Sequence, residues 1–184
     1  MAYGRKLWKW GPTRYGMPYR AQFEQWIAVP LEEVFRFFAD PRNLPRIMPA
    51  WMNVTIEDAM IVPPPNSSSS DFAGQGSTLV ASYRTLPLAP FRIRSQARIV
   101  GFAMNDFFED VQDHGPFRSW RHRHEFALET RNGISGTRLR DRIEYEIGFE
   151  PLGWILNMLF IAPQMRRTFA YRGRAVERVL ASAT

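Results

Sequence analysis

The chain has 184 residues, of which 45% are hydrophobic, with three histidines, no cysteine and a formal net charge of +6. This length is typical of one domain that buries about two thirds of its unfolded surface around a single core. Because cysteine is absent, the sequence excludes disulfide bonds, thiolate zinc sites and cysteine nucleophiles. The excess of arginine suggests nucleic acid or an anionic membrane as a partner. Either partner would require the arginines to lie together on one surface.

Segments that would direct the chain to a membrane are not visible in the sequence. No run approaches the roughly 20 apolar residues of a spanning helix, and residues 1–19 contain no continuous apolar region of a secretory signal. A cytoplasmic protein is therefore expected. Residues 1–19 carry aromatic and basic side chains separated by Gly and Pro, which indicates an arm lying on the main domain, residues 20–184. Peripheral membrane contact through this arm is the alternative.

A strand and two short helices are predicted first along the main domain. Apolar residues share one parity over Gln22–Val29, which indicates a strand. A helix is expected over Pro30–Asp40, because its first turn is acidic and its phenylalanines lie on one face. A second short helix is expected over Asn43–Met48, followed by a strand around Val54 and Ile56.

The rest of the chain is predicted to form a loop, a run of strands and a long helix. Residues 60–75 are rich in proline and serine and are predicted to form a mobile loop. Short links between the strands that follow favour an antiparallel meander. The last helix is amphipathic, and Pro163 should kink or divide it because proline removes the bond to the carbonyl of Leu159. The predicted strands of this run are Ser77–Thr85, Phe91–Val100, Asp106–Gln112, Phe117–Thr130 and Thr137–Phe149.

Strand parity predicts which side chains face the interior. A hairpin of the last two strands would place two histidines and the carboxylate of Asp141 on one concave surface. A buried carboxylate without a partner is strongly destabilising, so Asp141 should pair with a histidine or an arginine. A structural pair and a general acid–base pair in an open cavity both fit this arrangement. The inward sets are Trp120, His122, His124, Phe126 and Leu128, and then Leu139, Asp141, Ile143, Tyr145, Ile147 and Phe149.

The same parity places most arginines on the outer faces of the strands. Glutamates are mixed among them, which is typical of a solvated sheet exterior whose guanidinium stems cover apolar surface. Nucleic acid is therefore not an expected partner.

Two stretches resemble the START-like superfamily, also called SRPBCC. Residues 27–45 resemble its passage from the first strand into the first helix and turn. Residues 115–126 follow the pattern G-P-[FY]-x-x-W-x-H-x-H-x-F, and residues 136–145 follow G-T-x-x-x-D-x-[VI]-x-Y; both are similar to the polyketide cyclase/dehydrase-like branch. The resemblance spans about residues 21–180. It implies an α+β helix-grip fold, in which a curved antiparallel meander sheet wraps around a long C-terminal helix, with two short helices between the first two strands.

In that fold an apolar cavity lies between the sheet and the last helix. The resemblance makes His122, His124 and Asp141 the candidate catalytic residues. No cofactor and no metal are expected, although the two histidines with Asp141 could supply nitrogen and oxygen ligands to an ion. The candidate ligand-binding residues are Tyr83, Ser95, Trp120, Tyr145, Trp154 and Met158.

Three functions stay open at this point. The resemblance implies first the binding of a hydrophobic small molecule such as a lipid, polyketide or quinone. The alternative is a cofactor-independent polyketide cyclase/aromatase or dehydratase, in which His122 or His124 works with Asp141 as general acid and base. A further alternative is a membrane- or ribosome-associated interaction protein that uses basic faces.

Overall fold

A computed structural model of the protein describes residues 18–65, 72–86, 90–148 and 152–181. Residues 1–17 of the arm predicted over 1–19, and residues 66–71 of the predicted loop, lie outside the described residues. Seven strands of the described chain form one antiparallel sheet in the order β1-β7-β6-β5-β4-β3-β2. Their bounds are β1 Tyr19–Ile27, β2 Thr55–Met60, β3 Thr78–Tyr83, β4 Ile93–Ala103, β5 Phe107–His114, β6 Ser119–Arg131 and β7 Ile134–Glu146.

The predicted meander is confirmed, because each strand from β2 to β7 pairs with the next. β1 then pairs with β7 at the other end of the sheet, starting at Tyr19 and so earlier than the predicted Gln22. The β6–β7 connection is a two-residue turn in which Asn132 and Gly133 both have positive φ, the geometry that suits the twist of a hairpin. This tight turn fixes the β6–β7 register on which the inner face depends.

Helices cover the inner face of the sheet. Phe35 of the first helix is fully buried and meets Phe126 of β6 edge to face. Phe169 of the last helix stacks on Phe23 of β1, with ring centroids 4.1 Å apart. The helical elements are α1 Leu31–Ala39, a 3₁₀ turn Pro41–Asn43, α2 Leu44–Ile47, a second 3₁₀ turn Ala50–Met52, α3 Leu152–Leu156, a π-helical turn Asn157–Ile161 and α4 Ala162–Ala181.

The C-terminal helix is divided just before Pro163, as the sequence predicts. The N–H of Ala162 donates to the carbonyl of Asn157, five residues back, which defines a π-helical turn. Proline has no N–H for the carbonyl of Leu159, so the α-helical ladder cannot continue unchanged through this point. In the described residues, no helix combines the length and the apolar character needed to cross a bilayer.

Gly136 in β7 marks a close approach between β7 and β1. A Cβ on Gly136 would clash with the carbonyl oxygen of Ile27 and lie 2.7 Å from Cζ2 of Trp26. Because the obstacle is partly backbone, side-chain rotation cannot relieve it.

We therefore expect Gly136→Ala to lower the free energy of unfolding by about 1–3 kcal/mol, the usual range for overpacking. Urea unfolding measures the change. Ser135→Ala, at the exposed neighbouring position, is the control and should stay within about 0.5 kcal/mol of the wild type. Equal stability of the two variants would contradict the close approach.

Candidate functional site

A cavity of about 760 Å³ lies between the inner face of the sheet and the helices. Its volume falls within the range of pockets that hold drug-sized ligands, about 300–1,000 Å³. Small side chains on β3 and β4 leave much of this space, and larger apolar side chains from α1, α2 and α4 close it. Representative lining residues are Ala81, Ala97, Ile99, Phe38, Ile47 and Met165.

The mouth of the cavity lies where its lining residues meet solvent. Leu86 after β3 and Phe160 of the π-helical turn both line the cavity and are more than half exposed. Beside them, Nε2 of Gln164 donates to the carbonyl of Thr85 at 2.6 Å. This hydrogen bond joins the last helix to the end of β3 at the mouth.

One wall of the cavity carries a cluster of ionisable side chains. In the sheet register, Asp110 of β5 is opposite His122 of β6, and His124 of β6 is opposite Asp141 of β7. Nε2 of His122 lies 2.9 Å from Oδ1 of Asp141 in a hydrogen bond. Nδ1 of His124 lies 2.7 Å from the same oxygen, but off the direction of a hydrogen bond. Asp141 therefore contacts both imidazoles through one oxygen.

The second ring nitrogens point toward Asp110. Nδ1 of His122 and Nε2 of His124 each lie 3.9 Å from Oδ2 of Asp110. Asp110 and both histidines line the cavity, whereas Asp141 lies behind the rings. Two carboxylates therefore face the imidazole pair from opposite sides.

Burial and charge shift the ionisation of this cluster. Burial opposes the charge of Asp141, but His124 and His122 outweigh burial and hold the pKa of that carboxyl well below its usual range. Burial lowers the pKa of both imidazoles and raises the pKa of Asp110. Arg172 of α4 also lines the cavity, and burial lowers the pKa of its guanidinium against the opposing charges of Asp141 and Asp110.

The structure brings part of the predicted ligand-binding set together. Tyr83, Ser95 and Trp120 line the cavity along with the two histidines. Tyr145 does not line it, because its side chain is fully buried and its hydroxyl donates to Oδ1 of Asn157 at 2.7 Å. Tyr145 therefore ties β7 to the π-helical turn of the last helix.

Trp154 and Met158 do not face the cavity, contrary to the sequence-based prediction. They are 59% and 51% exposed, while Gly153 and Asn157 take the buried positions. Residues 154–162 are apolar on nearly every side of the helix, so the spacing of apolar residues does not indicate which side faces the cavity. The π-helical turn further changes which residues share one side of the helix. Leu128, also predicted inward, is 69% exposed near the end of β6.

Two members of the cluster were not predicted. Asp110 shares the parity of the buried Phe108 in β5, a signal that could have placed it on the inner face. Arg172 follows Phe169 by three residues, and so lies on the same face of α4. Neither signal alone separates a cavity group from a surface charge.

Comparisons with known proteins agree with this architecture. A protein from Rhodobacter sphaeroides has a similar structure at 14% identity, covering 96% of this chain and 99% of that one with a TM-score of 0.64. TTHA0849 from Thermus thermophilus is similar at 17% identity, covering 90% and 99%, with a TM-score of 0.61. A START superfamily protein from Mycobacterium smegmatis gives 14% identity, 90% and 99% coverage, and a TM-score of 0.61. The chain therefore has the helix-grip fold, as predicted.

The sequence also matches a family model directly. The match covers residues 27–170 and the family is described as polyketide cyclase / dehydrase and lipid transport. The chain belongs to this family, which confirms the START-like resemblance. A search of the curated proteins finds no match to the sequence.

The buried bond between Tyr145 and Asn157 yields a stability prediction. Burial raises the pKa of the Tyr145 phenol, so its hydroxyl remains a donor at neutral pH. Tyr145→Phe leaves the buried Asn157 carbonyl without this partner and should lower the free energy of unfolding by about 1–3 kcal/mol. Urea unfolding measures the loss. Tyr171→Phe, at a half-buried tyrosine of α4 whose ring contacts Arg178, is the matched control.

A double variant separates the hydrogen bond from packing. Tyr145→Phe combined with Asn157→Leu removes both partners, so its loss should be smaller than the sum of the two single losses. Strict additivity would show that the bond does not stabilise the helix against β7.

Proposed function

We propose that this protein binds one hydrophobic small molecule, of the lipid, polyketide or quinone class, in the cavity between the sheet and the C-terminal helix. The observation that carries the proposal is a cavity of about 760 Å³ with mainly apolar lining and ionisable groups gathered on one wall. Ligand pockets combine apolar walls with a few placed polar groups in this way. The family's description, which includes lipid transport, supports the same class of ligand.

The polar wall orients the ligand within the cavity. A ligand with an apolar body and one carbonyl, hydroxyl or carboxyl group would place that group against Asp110, the two histidines and Arg172. Its apolar body would then lie along the small side chains of β3 and β4, including Ala81 and Ala97. A cytoplasmic location stays a prediction.

Filling the cavity should weaken binding without unfolding the sheet. Ala97→Phe adds an aromatic ring inside the cavity, and we expect it to raise the Kd for an apolar probe at least roughly tenfold, equivalent to about 1.4 kcal/mol. Titration with the fluorescent probe 8-anilinonaphthalene-1-sulfonate measures the Kd, and native mass spectrometry detects any ligand that copurifies. Ala127→Phe, whose residue belongs to a separate shallow pocket with Arg123 and Arg138, is the matched control.

The proposal fails if both variants bind the probe as the wild type does, because the probe would then lie elsewhere. It also fails if native mass spectrometry and a panel of fatty acids, quinones and polyketide-like molecules reveal no apolar ligand.

The histidine–aspartate contact favours a second candidate, a cofactor-independent cyclase or dehydratase. The His122–Asp141 hydrogen bond orients an imidazole on the cavity wall, the arrangement that general acid–base catalysis uses. Aldol closure and loss of water need proton transfers and a cavity that holds the chain in reactive geometry.

This candidate predicts a large effect on turnover. With a poly-β-carbonyl thioester as test substrate, His122→Ala and Asp141→Asn should each lower kcat by about 10²–10⁴-fold. Product analysis by mass spectrometry measures turnover, and probe binding checks that each variant is folded. His114→Ala, which removes the exposed third histidine, should keep full turnover. Unchanged turnover in His122→Ala, His124→Ala and Asp141→Asn would exclude the mechanism.

The interaction alternative has weaker support. Among the described residues, several outer-face arginines form ion pairs, so much of their charge on that face is compensated. Membrane contact through residues 1–19 stays a prediction, as does the absence of a nucleic-acid partner. The pairs are Arg94–Glu57, Arg98–Asp113, Arg121–Glu109, Arg140–Glu24 and Arg142–Glu125.

A further inference from the structure

We propose that Asp110, His122 and His124 form a binding site for a divalent transition-metal ion of the Zn²⁺ type on the cavity wall. Their ligand atoms lie within 4.8 Å of one another. From the sequence, no metal is expected, and Asp141 is the carboxylate that could join the two histidines as a ligand. In the fold, Asp110 is the carboxylate on the cavity side of the rings, and Asp141 lies on their far side.

The positions of the donors follow from two neighbouring strands. His122 and His124 are two residues apart on β6, so both rings face inward, and Asp110 on β5 is opposite His122. Oδ2 of Asp110 lies 3.9 Å from one nitrogen of each ring. That distance is too long for a hydrogen bond, so the three donors converge on a shared space and not directly on each other.

The size of this space suits one ion. Ligands held at about 2.0–2.1 Å in a tetrahedral site are about 3.3 Å apart. From the observed 3.9 Å, the Asp110 oxygen needs to approach each histidine nitrogen by only about half an ångström to reach this spacing.

Asp141 prepares the His122 ring for this role. Its Oδ1 is hydrogen-bonded to Nε2 of His122, on the side away from Asp110, and lies 2.7 Å from Nδ1 of His124 without a hydrogen bond. A neutral His122 imidazole that carries its proton on Nε2 presents a bare lone pair on Nδ1, toward Asp110. Metal-binding histidines commonly have a carboxylate in this outer position, which fixes the tautomer and raises ligand basicity.

The charges of the wall also favour a cation. The carboxyl groups of Asp110 and Asp141 lie on either side of the imidazole pair, and the guanidinium of Arg172 interacts with both. Two carboxyl groups therefore face one guanidinium in a partly buried setting, where an opposite charge is attracted more strongly than in water. A divalent ion between Asp110 and the imidazoles would add positive charge beside these carboxyl groups and leave room for an anionic or carbonyl ligand.

The donor set selects the class of metal. Two imidazoles and one carboxylate suit Zn²⁺, Fe²⁺ or Co²⁺, whereas Mg²⁺ and Ca²⁺ prefer sites made of oxygen ligands. All three donors line the cavity, so the remaining coordination positions face the space where a ligand would bind. This inference goes beyond the proposed binding of a hydrophobic molecule and does not depend on it.

Metal binding by the full chain tests the site directly. After dialysis against a chelator, the protein is titrated with Zn²⁺ by calorimetry and with Co²⁺ by visible absorption. We expect one equivalent of either ion to bind, with Co²⁺ bands of a site that contains nitrogen ligands, and no saturable binding of Mg²⁺.

Variants then locate the ion. Asp110→Asn and His124→Ala should abolish stoichiometric binding, and Asp141→Asn should weaken it about 10–100-fold through loss of the outer carboxylate. His114→Ala, at an exposed histidine outside the cluster, should bind as the wild type does. Circular dichroism and a cooperative urea-unfolding transition show that each variant is folded; the near-isosteric Asp110→Asn decides the question if His124→Ala does not fold.

Three results would overturn the proposal: no saturable Zn²⁺ or Co²⁺ binding, binding that survives in Asp110→Asn and His124→Ala, or binding lost in His114→Ala. Because the probe is the metal alone, these results leave the hydrophobic-ligand proposal intact. Conversely, failure of Ala97→Phe to change probe binding leaves the metal site untouched.

Discussion

The structure depends on the accommodation of one buried carboxylate, that of Asp141. It lies 7% exposed in β7 among apolar neighbours, where an unpaired charge would be strongly destabilising. The His122 and His124 rings on β6 supply the compensating contacts, and they reach Asp141 only in the observed β6–β7 register. A slip of β7 by one residue would turn Asp141 to the outer face while the histidines of β6 stay inside, so these contacts would be lost. The carboxylate thus favours one pairing of the hairpin as well as one orientation of the rings.

The polar cluster also lies at the boundary between two apolar clusters of the core. On one side His124 is close to Phe108, which belongs to the cluster built around Phe35 and Phe126. On the other side His122 contacts Phe169, part of the cluster around Tyr145. The large side chains fill these two regions, while β3 and β4 contribute small residues such as Ala81 and Ala97 to the cavity lining. The cavity is therefore a consequence of where the large residues are placed, and the ionisable groups occupy its wall between the packed regions.

The inner face of the sheet could be predicted from the sequence because strand parity has a period of two and is insensitive to small errors in strand ends. His122, His124 and Asp141 were placed together for that reason. Trp154 and Met158, which the resemblance suggested, were misplaced because residues 154–162 are apolar on nearly every side and give no spacing to check the inner face, and because a π-helical turn cannot be recognised from composition. Asp110 and Arg172 were missed since their role arises from contacts between separate elements. A charge at an inward position signals a site only when the structure shows what faces it.

The same geometry bears on how ligand binding and ionisation are connected. An apolar molecule that enters the cavity displaces water from the wall formed by Asp110, the two histidines and Arg172. Loss of water strengthens the interactions among these charges and makes an uncompensated charge less favourable. Any uncompensated charge on the carboxyl groups of the wall must then be balanced by a proton, by a cation between Asp110 and the imidazoles, or by a donor group of the ligand. Ionisation or cation binding at the polar wall and ligand binding in the apolar cavity are therefore thermodynamically linked, because each changes the free energy of the other.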